Sequence, residues 1–257
     1  MTRRLRAPSE VVIGAVGASL AVAHVGPAVI RLVPSASRLL PRLHGVGRPD
    51  HLALTFDDGP DPASTPAFLE VLAGLGWTAT FFMLGTMVRR APGLAAEVAA
   101  AGHEIGVHAN EHRSHLRCSP RAVLADLSRA VELVEDTTGS RPLWFRPPYG
   151  AISSGSVLAA RRLDLRMVLW TSWGKDWRAS ATPASVIADL ERGLSPGATV
   201  VLHDSDCVSA PGAWRAALGS LPLLAERVRQ NDWKVGPLGD HGIAGARART
   251  KEPQGVG

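Results

Sequence analysis

The sequence predicts an α/β fold, a single incomplete, distorted (β/α) barrel of about seven parallel strands. Two observations carry the prediction. From His51 to Val235, short β-branched or aromatic runs alternate with stretches of helical periodicity, which is the pattern of parallel strands joined by crossover helices. A polar cluster follows most of the apolar runs, at the strand end where barrels of this class carry their reactive groups. One core suffices for a chain of 257 residues with 46% apolar content.

The elements follow in order. His51 to Phe56 reads as a short buried strand that Gly59-Pro60-Asp61-Pro62 stops. Thr65 to Leu75 is a helix ended by Gly74 and Gly76, and Thr78 to Leu84 is the clearest strand, β-branched and aromatic. A helix over Pro92 to Ala101 and a strand over His103 to Val107 lead into a His-rich loop. Pro120 to Thr138 is an amphipathic helix opened by Ser119 and closed by Gly139. Strands at 143–145, 166–170, 199–202 and 233–235 then alternate with helices at 153–162, 183–192 and 213–229.

The chain outside this alternation divides into three parts. Arg3, Arg4 and Arg6 precede an uncharged apolar run from Val11 to Ile30, so residues 1–33 read as a signal peptide or an N-terminal membrane anchor, with membrane attachment through residues 11–33. Residues 34–50 read as a linker, 51–238 as the folded domain and 239–257 as a disordered tail. The N-terminal reading implies a secreted or membrane-anchored, extracytoplasmic protein. Formal charge agrees: the first fifty residues hold seven Arg and two acids, whereas residues 51–257 hold 21 basic and 21 acidic residues. The domain therefore offers no net positive field to a phosphate backbone, and no nucleic-acid partner is expected.

The chemistry concentrates in a few short stretches. Asp57-Asp58 closes the first strand, and because side chains alternate the two acids should point differently and hold different jobs. His108 and His112 stand four residues apart, so one helical turn would aim both imidazoles at one point. Two His and a carboxylate are ligands of the kind that hold a catalytic zinc with a coordination position left open. His115 competes with this pairing by its own proximity to His112. Arg146, Asp176 and His203 each follow a predicted strand or lie in a loop after one, and each also has an ordinary reading as a surface base, a turn cap or a strand-end histidine.

Together these stretches resemble a known family. Thr55-Phe56-Asp57-Asp58-Gly59-Pro60, His108-x-x-x-His112, Arg146-Pro147-Pro148-Tyr149-Gly150, Asp176-Trp177 and Leu202-His203-Asp204 occur in the order of the five motifs of polysaccharide deacetylases. This resembles a NodB-homology domain of carbohydrate esterase family 4, over about residues 50–236. The resemblance implies that Asp58, His108 and His112 bind a divalent metal, zinc in the first place with cobalt or iron as alternatives. It implies that Asp57 is the general base, held ionised and oriented by Arg146, and that His203 is the general acid, with Asp176 orienting its ring. The backbone N–H of Tyr149 would receive the developing oxyanion. Leu202 and Trp177 would wall the pocket for the acetyl methyl. The implied activity is metal-dependent N-deacetylation of an N-acetylated glycan, peptidoglycan-like or chitin-like. A deacetylase of a small acetamido compound and an inactive glycan-binding module on the same fold are the competing readings.

The sequence departs from the family at Ala109, where a Ser or Thr is usual, and the lost hydroxyl could loosen the loop that carries both His ligands. The stretch before Asp176 also lacks the extra acids often found there. Cys118 and Cys207 follow two of the motifs, which leaves a disulfide between them open, and Trp214 is either a sugar platform or core.

Overall fold

The computed structural model describes residues 24–28 and 36–243. Eight strands form one all-parallel sheet: β1 His51–Asp57, β2 Thr80–Met83, β3 Glu104–Val107, β4 Trp144–Phe145, β5 Arg166–Met167, β6 Ser172–Trp173, β7 Thr199–His203 and β8 Lys234–Gly236. Their order is β5-β4-β3-β2-β1-β7-β6, with β8 paired to the first half of β1. No ladder joins β5 to β6, so the barrel is incomplete, as predicted. Of the strand expected over 166–170 only Arg166–Met167 pairs, with β4, and β6 at Ser172–Trp173, beside β7, is a further short strand that the sequence reading did not place.

Seven helices of six residues or more cover the sheet among the described residues: α1 Thr65–Leu75, α2 Gly85–Arg90, α3 Pro92–Ala100, α4 Pro120–Thr138, α5 Ser154–Arg162, α6 Pro183–Glu191 and α7 Trp214–Gln230. Sequence periodicity locates all but α2, which is too short to show a period. The caps are local: Ser119 accepts from Ala122 N at the start of α4, and Ser153 with Ser156 and Thr182 with Ser185 close boxes at α5 and α6.

Strand alternation divides the core into two layers. Leu54 and Phe56 of β1, Phe81 and Met83 of β2, and Val200 and Leu202 of β7 face the helices in one large apolar cluster. The intervening Ala53, Phe82 and Trp144 fill the barrel interior with Val168 and Leu238. Ala53 therefore fixes the facing of Thr55 and Asp57 two and four residues on, and Val201 precedes His203 on the same face of β7. Above Ala53 the inward-facing positions of β1 run through Thr55 to Asp57 at the top of the barrel.

The segment read as a linker is stitched to the domain over its second half. Leu169 N donates to Leu43 O at 2.6 Å, Thr199 Oγ1 to Gly45 O at 2.6 Å, and Gly47 N to Gly197 O at 3.0 Å. The start of the segment read as a tail is also packed: His241 is fully buried, and its Nδ1 lies 2.8 Å from His51 Nδ1. Its Nε2 lies 3.1 Å from the carbonyls of both Gly45 and Gly197, so it is the donor there and Nδ1 the acceptor. The signal or anchor segment falls almost wholly outside the described residues, and among the described residues no helix is long and apolar enough to cross a membrane.

Burial, followed by the nearby His51, lowers the His241 imidazole to about 4 from the ordinary 6.5. The unfolded chain therefore binds a proton there at a higher pH than the folded chain. Stability from this site is complete above about pH 6.5 and is lost as pH falls towards 4. Urea titrations should show unfolding free energy falling by up to about 3 kcal/mol over that window, with His241→Gln flattening this part of the slope.

Candidate active site

The top of the barrel gathers side chains from five separated stretches. Asp57, the last residue of β1, faces inward and meets Arg146, which follows β4 and is fully buried. Arg146 Nη1 donates to Asp57 Oδ1 at 2.7 Å and to Thr55 Oγ1 at 2.7 Å, while Nη2 donates to Leu169 O at 2.9 Å. The guanidinium also lies 4.1 Å from the centre of the Phe82 ring. Both terminal nitrogens are engaged and the plane packs on Phe82, so groups from three other segments hold the guanidinium and the Asp57 carboxylate is held with it.

Asp58 points elsewhere. Its backbone is left-handed, with φ of 82°, and the chain turns out of the strand at this residue. Its Oδ1 lies 3.6 Å from His108 Nε2 and 3.5 Å from His112 Nε2. Both separations are longer than a good hydrogen bond, and Oδ1 is a buried acceptor without a partner. Ligand atoms from the three residues all lie within 4.8 Å of one another. Burial holds the His108 imidazole well below its ordinary range and lowers His112 to about 3, so both are neutral lone-pair donors. Burial, opposed by His203 and reinforced by Asp57, pushes the Asp58 carboxyl up to about 7. An orphaned carboxylate oxygen facing two neutral imidazoles fits a divalent cation, and this donor set suits zinc.

The His pair converges by a route different from the one expected. Residues 108–114 form a loop, not a helical turn, and Ala109 adopts a positive φ of 98°. The loop is ordered from outside: Gly85 N donates to Ala109 O and Thr86 N to Asn110 O, both at 3.0 Å, and Asn110 N donates to Asp126 Oδ2 at 2.9 Å. The start of α2 and Asp126 of α4 thus hold backbone atoms of this loop, and Ala109 itself is fully buried. His115 is not among the converging three; it is buried with Nδ1 3.1 Å from Ser156 Oγ and its ring stacked on Phe145.

His203 closes β7 beside this group. Its Nδ1 lies 2.9 Å from Asp176 Oδ1, and its backbone N donates to Asp176 Oδ2 at 2.7 Å. Burial alone would lower this imidazole, but Asp176, with Asp58 and Asp57 behind it, pushes it up to about 10. The next residue, Asp204, turns away: its carboxylate accepts from Gly59 N at 3.1 Å and from Thr65 Oγ1 at 2.6 Å, fixing the turn after Asp58 to the start of α1.

A cleft of about 470 Å³ opens over these groups, with Asp57, Asp58, His108, His112 and His203 on its lining. Trp170, Trp173 and Trp177 line it as a continuous strip, with ring centres 5.7 and 6.2 Å apart. Tyr149 also lines it; its backbone has φ of 58° and its ring meets His112 edge-on at 4.3 Å. Leu202, expected on the pocket wall, lies instead in the outer core, because it occupies the helix-facing side of β7; Val201, one residue earlier, lines the cleft. Sequence reasoning missed Trp170, Trp173, Val201 and Val208 as lining residues. The inward alternation counted back from His203 would have found Val201. Trp214 packs against the core. Cys118 and Cys207 are free thiols, so the disulfide left open by the sequence is not formed.

The chain is similar to known proteins in sequence and in fold. The family profile described as polysaccharide deacetylase matches residues 44–168. A peptidoglycan-N-acetylglucosamine deacetylase of Bacillus cereus is 37% identical over 155 residues, 60% of this chain and 72% of that protein. A chitooligosaccharide deacetylase of Bradyrhizobium is 33% identical over 68% of this chain and 84% of its own length. The crystal structure of the Bc1960 peptidoglycan N-acetylglucosamine deacetylase shares the fold, with a TM-score of 0.72 at 23% identity, over 81% of this chain and 97% of that one.

The donor set predicts a clean division among the histidines. His108→Ala and His112→Ala should each weaken zinc binding to the metal-stripped protein by more than about 100-fold by calorimetry, beyond what loss of an outer partner costs. His115→Ala should retain one zinc per chain.

Proposed function

Because the chain belongs to the polysaccharide deacetylase family, we propose that it hydrolyses the acetamide of N-acetylhexosamine units in a polysaccharide or oligosaccharide, releasing acetate and a free amine. The observation that carries this reading is one cleft floor holding an arginine-paired carboxylate, a three-donor cation set and a carboxylate-paired imidazole. Amide hydrolysis needs a base for water, charge stabilisation at the carbonyl oxygen and a proton for a poor leaving group.

Asp57 takes the proton from the attacking water, and Arg146 fixes the direction from which it does so. His203 delivers a proton to the departing nitrogen; Asp176 occupies Nδ1, which leaves Nε2 as the ring nitrogen that exchanges the proton with substrate. The Tyr149 backbone N–H is assigned to the carbonyl oxygen as negative charge develops there. A divalent ion, zinc in this proposal, held by Asp58, His108 and His112 would polarise the carbonyl and acidify water. Val201 and Trp177 bound the space for the acetyl methyl, and the rest of the indole strip presents ring faces to the sugar.

Two of the relatives act, by their names, on peptidoglycan N-acetylglucosamine and on chitooligosaccharides. Chitooligosaccharides are oligomers of N-acetylglucosamine, the unit named in the first relative, which is therefore the proposed reacting unit. Peptidoglycan lies outside the cytoplasmic membrane, and the basic start followed by the apolar run of residues 11–30 suits export or anchoring, so the domain is proposed to work extracytoplasmically.

The test is acetate release from N-acetylglucosamine oligomers of increasing length. The metal-stripped protein should be inactive and recover on addition of zinc or cobalt, with turnover rising with chain length. Release from a monomeric acetamide equal to that from the oligomers would instead favour a small-molecule deacetylase.

A further inference from the structure

Asp176 supports His203 through two short hydrogen bonds, yet it belongs to no strand or helix. It lies in the turn of residues 174–180 between β6 and α6. Lys175, immediately before it, is forced into the left-handed region at φ of 48°, which non-glycine residues adopt only when their surroundings impose it.

Ala210 N, which donates to Trp177 O at 3.1 Å, holds the turn from one side, and one carboxylate gathers its side chains from the other. Asp189 projects from α6 with its side chain only 7% exposed and accepts from Lys175 Nζ at 3.4 Å. It also accepts from Arg178 Nη2. Arg178 Nε donates back to Lys175 O at 3.0 Å, which closes a ring through residues 175, 178 and 189. Arg192 Nη1, at 2.9 Å from Oδ1, holds the carboxylate from the residue that follows α6. Asp176 and Trp177 are the two residues inside that ring. Among the described residues, Lys175 and Arg178 form ion pairs with no other acid; Glu191, two residues on, pairs instead with Arg227. The carboxylate is shielded, but Lys175 and Arg178 are each about a third exposed and Arg192 mostly exposed, so the cluster adds little to stability and its effect is on the position of the turn.

We propose that Asp189 is a positioning residue that acts through Asp176: by clamping Lys175 and Arg178 it fixes the carboxylate that aligns His203, and with it the Trp177 wall. The catalytic consequence rests on the deacetylase reading above; the structural consequence does not. Asp189 touches neither substrate nor the reacting atoms, and a helix on the outside of the barrel thereby sets the geometry of a proton donor inside it.

The test uses the full, zinc-loaded chain and a double-mutant cycle. Asp189→Asn should lower kcat on N-acetylglucosamine oligomers by about tenfold or more, within the range general acid–base groups supply, at unchanged zinc content. Asp189→Glu should recover part of the loss. In an Asp176→Asn background, Asp189→Asn should change kcat by less than about twofold, because non-additivity is the mark of residues acting through one another. A wild-type kcat in Asp189→Asn, or the same factor of loss in both backgrounds, overturns the proposal. Should Asp189→Asn not fold, Arg178→Gln opens the same ring and is read the same way. A readout independent of turnover is the low-field proton resonance of the His203–Asp176 hydrogen bond, assigned by its loss in Asp176→Asn. It should disappear in Asp189→Asn as well; its persistence there would overturn the clamp even if the wild-type chain released no acetate from any oligomer.

Discussion

The buried pair of Arg146 and Asp57 is the constraint on which the rest of the site depends. A guanidinium with no exposure, tied to Thr55, Asp57 and Leu169 and stacked on Phe82, joins β1, β2, the end of β4 and the stretch after β5 at a single point. Breaking such a pair from one side strands a charge in the interior, at about 3–5 kcal/mol. The structural demand and the chemical demand therefore coincide: the contact that joins these strands also aims the base.

Neighbouring acids obtain different work from backbone geometry alone. Asp57 is the last residue that obeys the inward alternation of β1, and Asp58 is the first that leaves it, through a left-handed backbone. Asp204 holds the turn that follows, where a side chain on Gly59 would collide with its carboxylate at 2.1 Å. Positions in the floor are thus defended from behind: Asp126 behind the His loop, Asp204 behind Asp58, and Asp189 behind Asp176. Each of the three is a carboxylate that holds a backbone amide or the side chains flanking a functional residue, and each comes from an element other than the one it steadies.

The sequence revealed the barrel and the order of the groups on its rim because both are written in local patterns. Alternation of strand and helix periods needs only neighbouring residues, and α1 and α4 begin and end where their Pro, Gly and Ser residues say they should. What it concealed is long-range. The His108 and His112 spacing reads as a helical turn, but amides from α2 and Asp126 hold it as a loop. Leu202 reads as a wall residue from its place beside His203, and only the facing of β7 assigns that role to Val201. Nothing local in Leu43 or His241 announces that both pack against the barrel, since Leu43 meets Leu169 and His241 meets His51, Gly45 and Gly197, all distant in sequence. Trp170, Trp173 and Trp177 stand at the i, i+3, i+7 spacing of a helix face, but the stretch forms no helix, and the strip they make comes from β6 and the chain on either side of it.

The division of labour between the adjacent acids is the centre of this account, and comparing Asp57→Asn with Asp58→Asn tests it most directly. Zinc content and acetate release from an N-acetylglucosamine oligomer would be measured on the same preparations. Asp57→Asn should keep one zinc per chain and release no acetate, whereas Asp58→Asn should lose both. Loss of zinc from Asp57→Asn, or acetate release by it near the parent rate, would contradict the assignment of base and ligand.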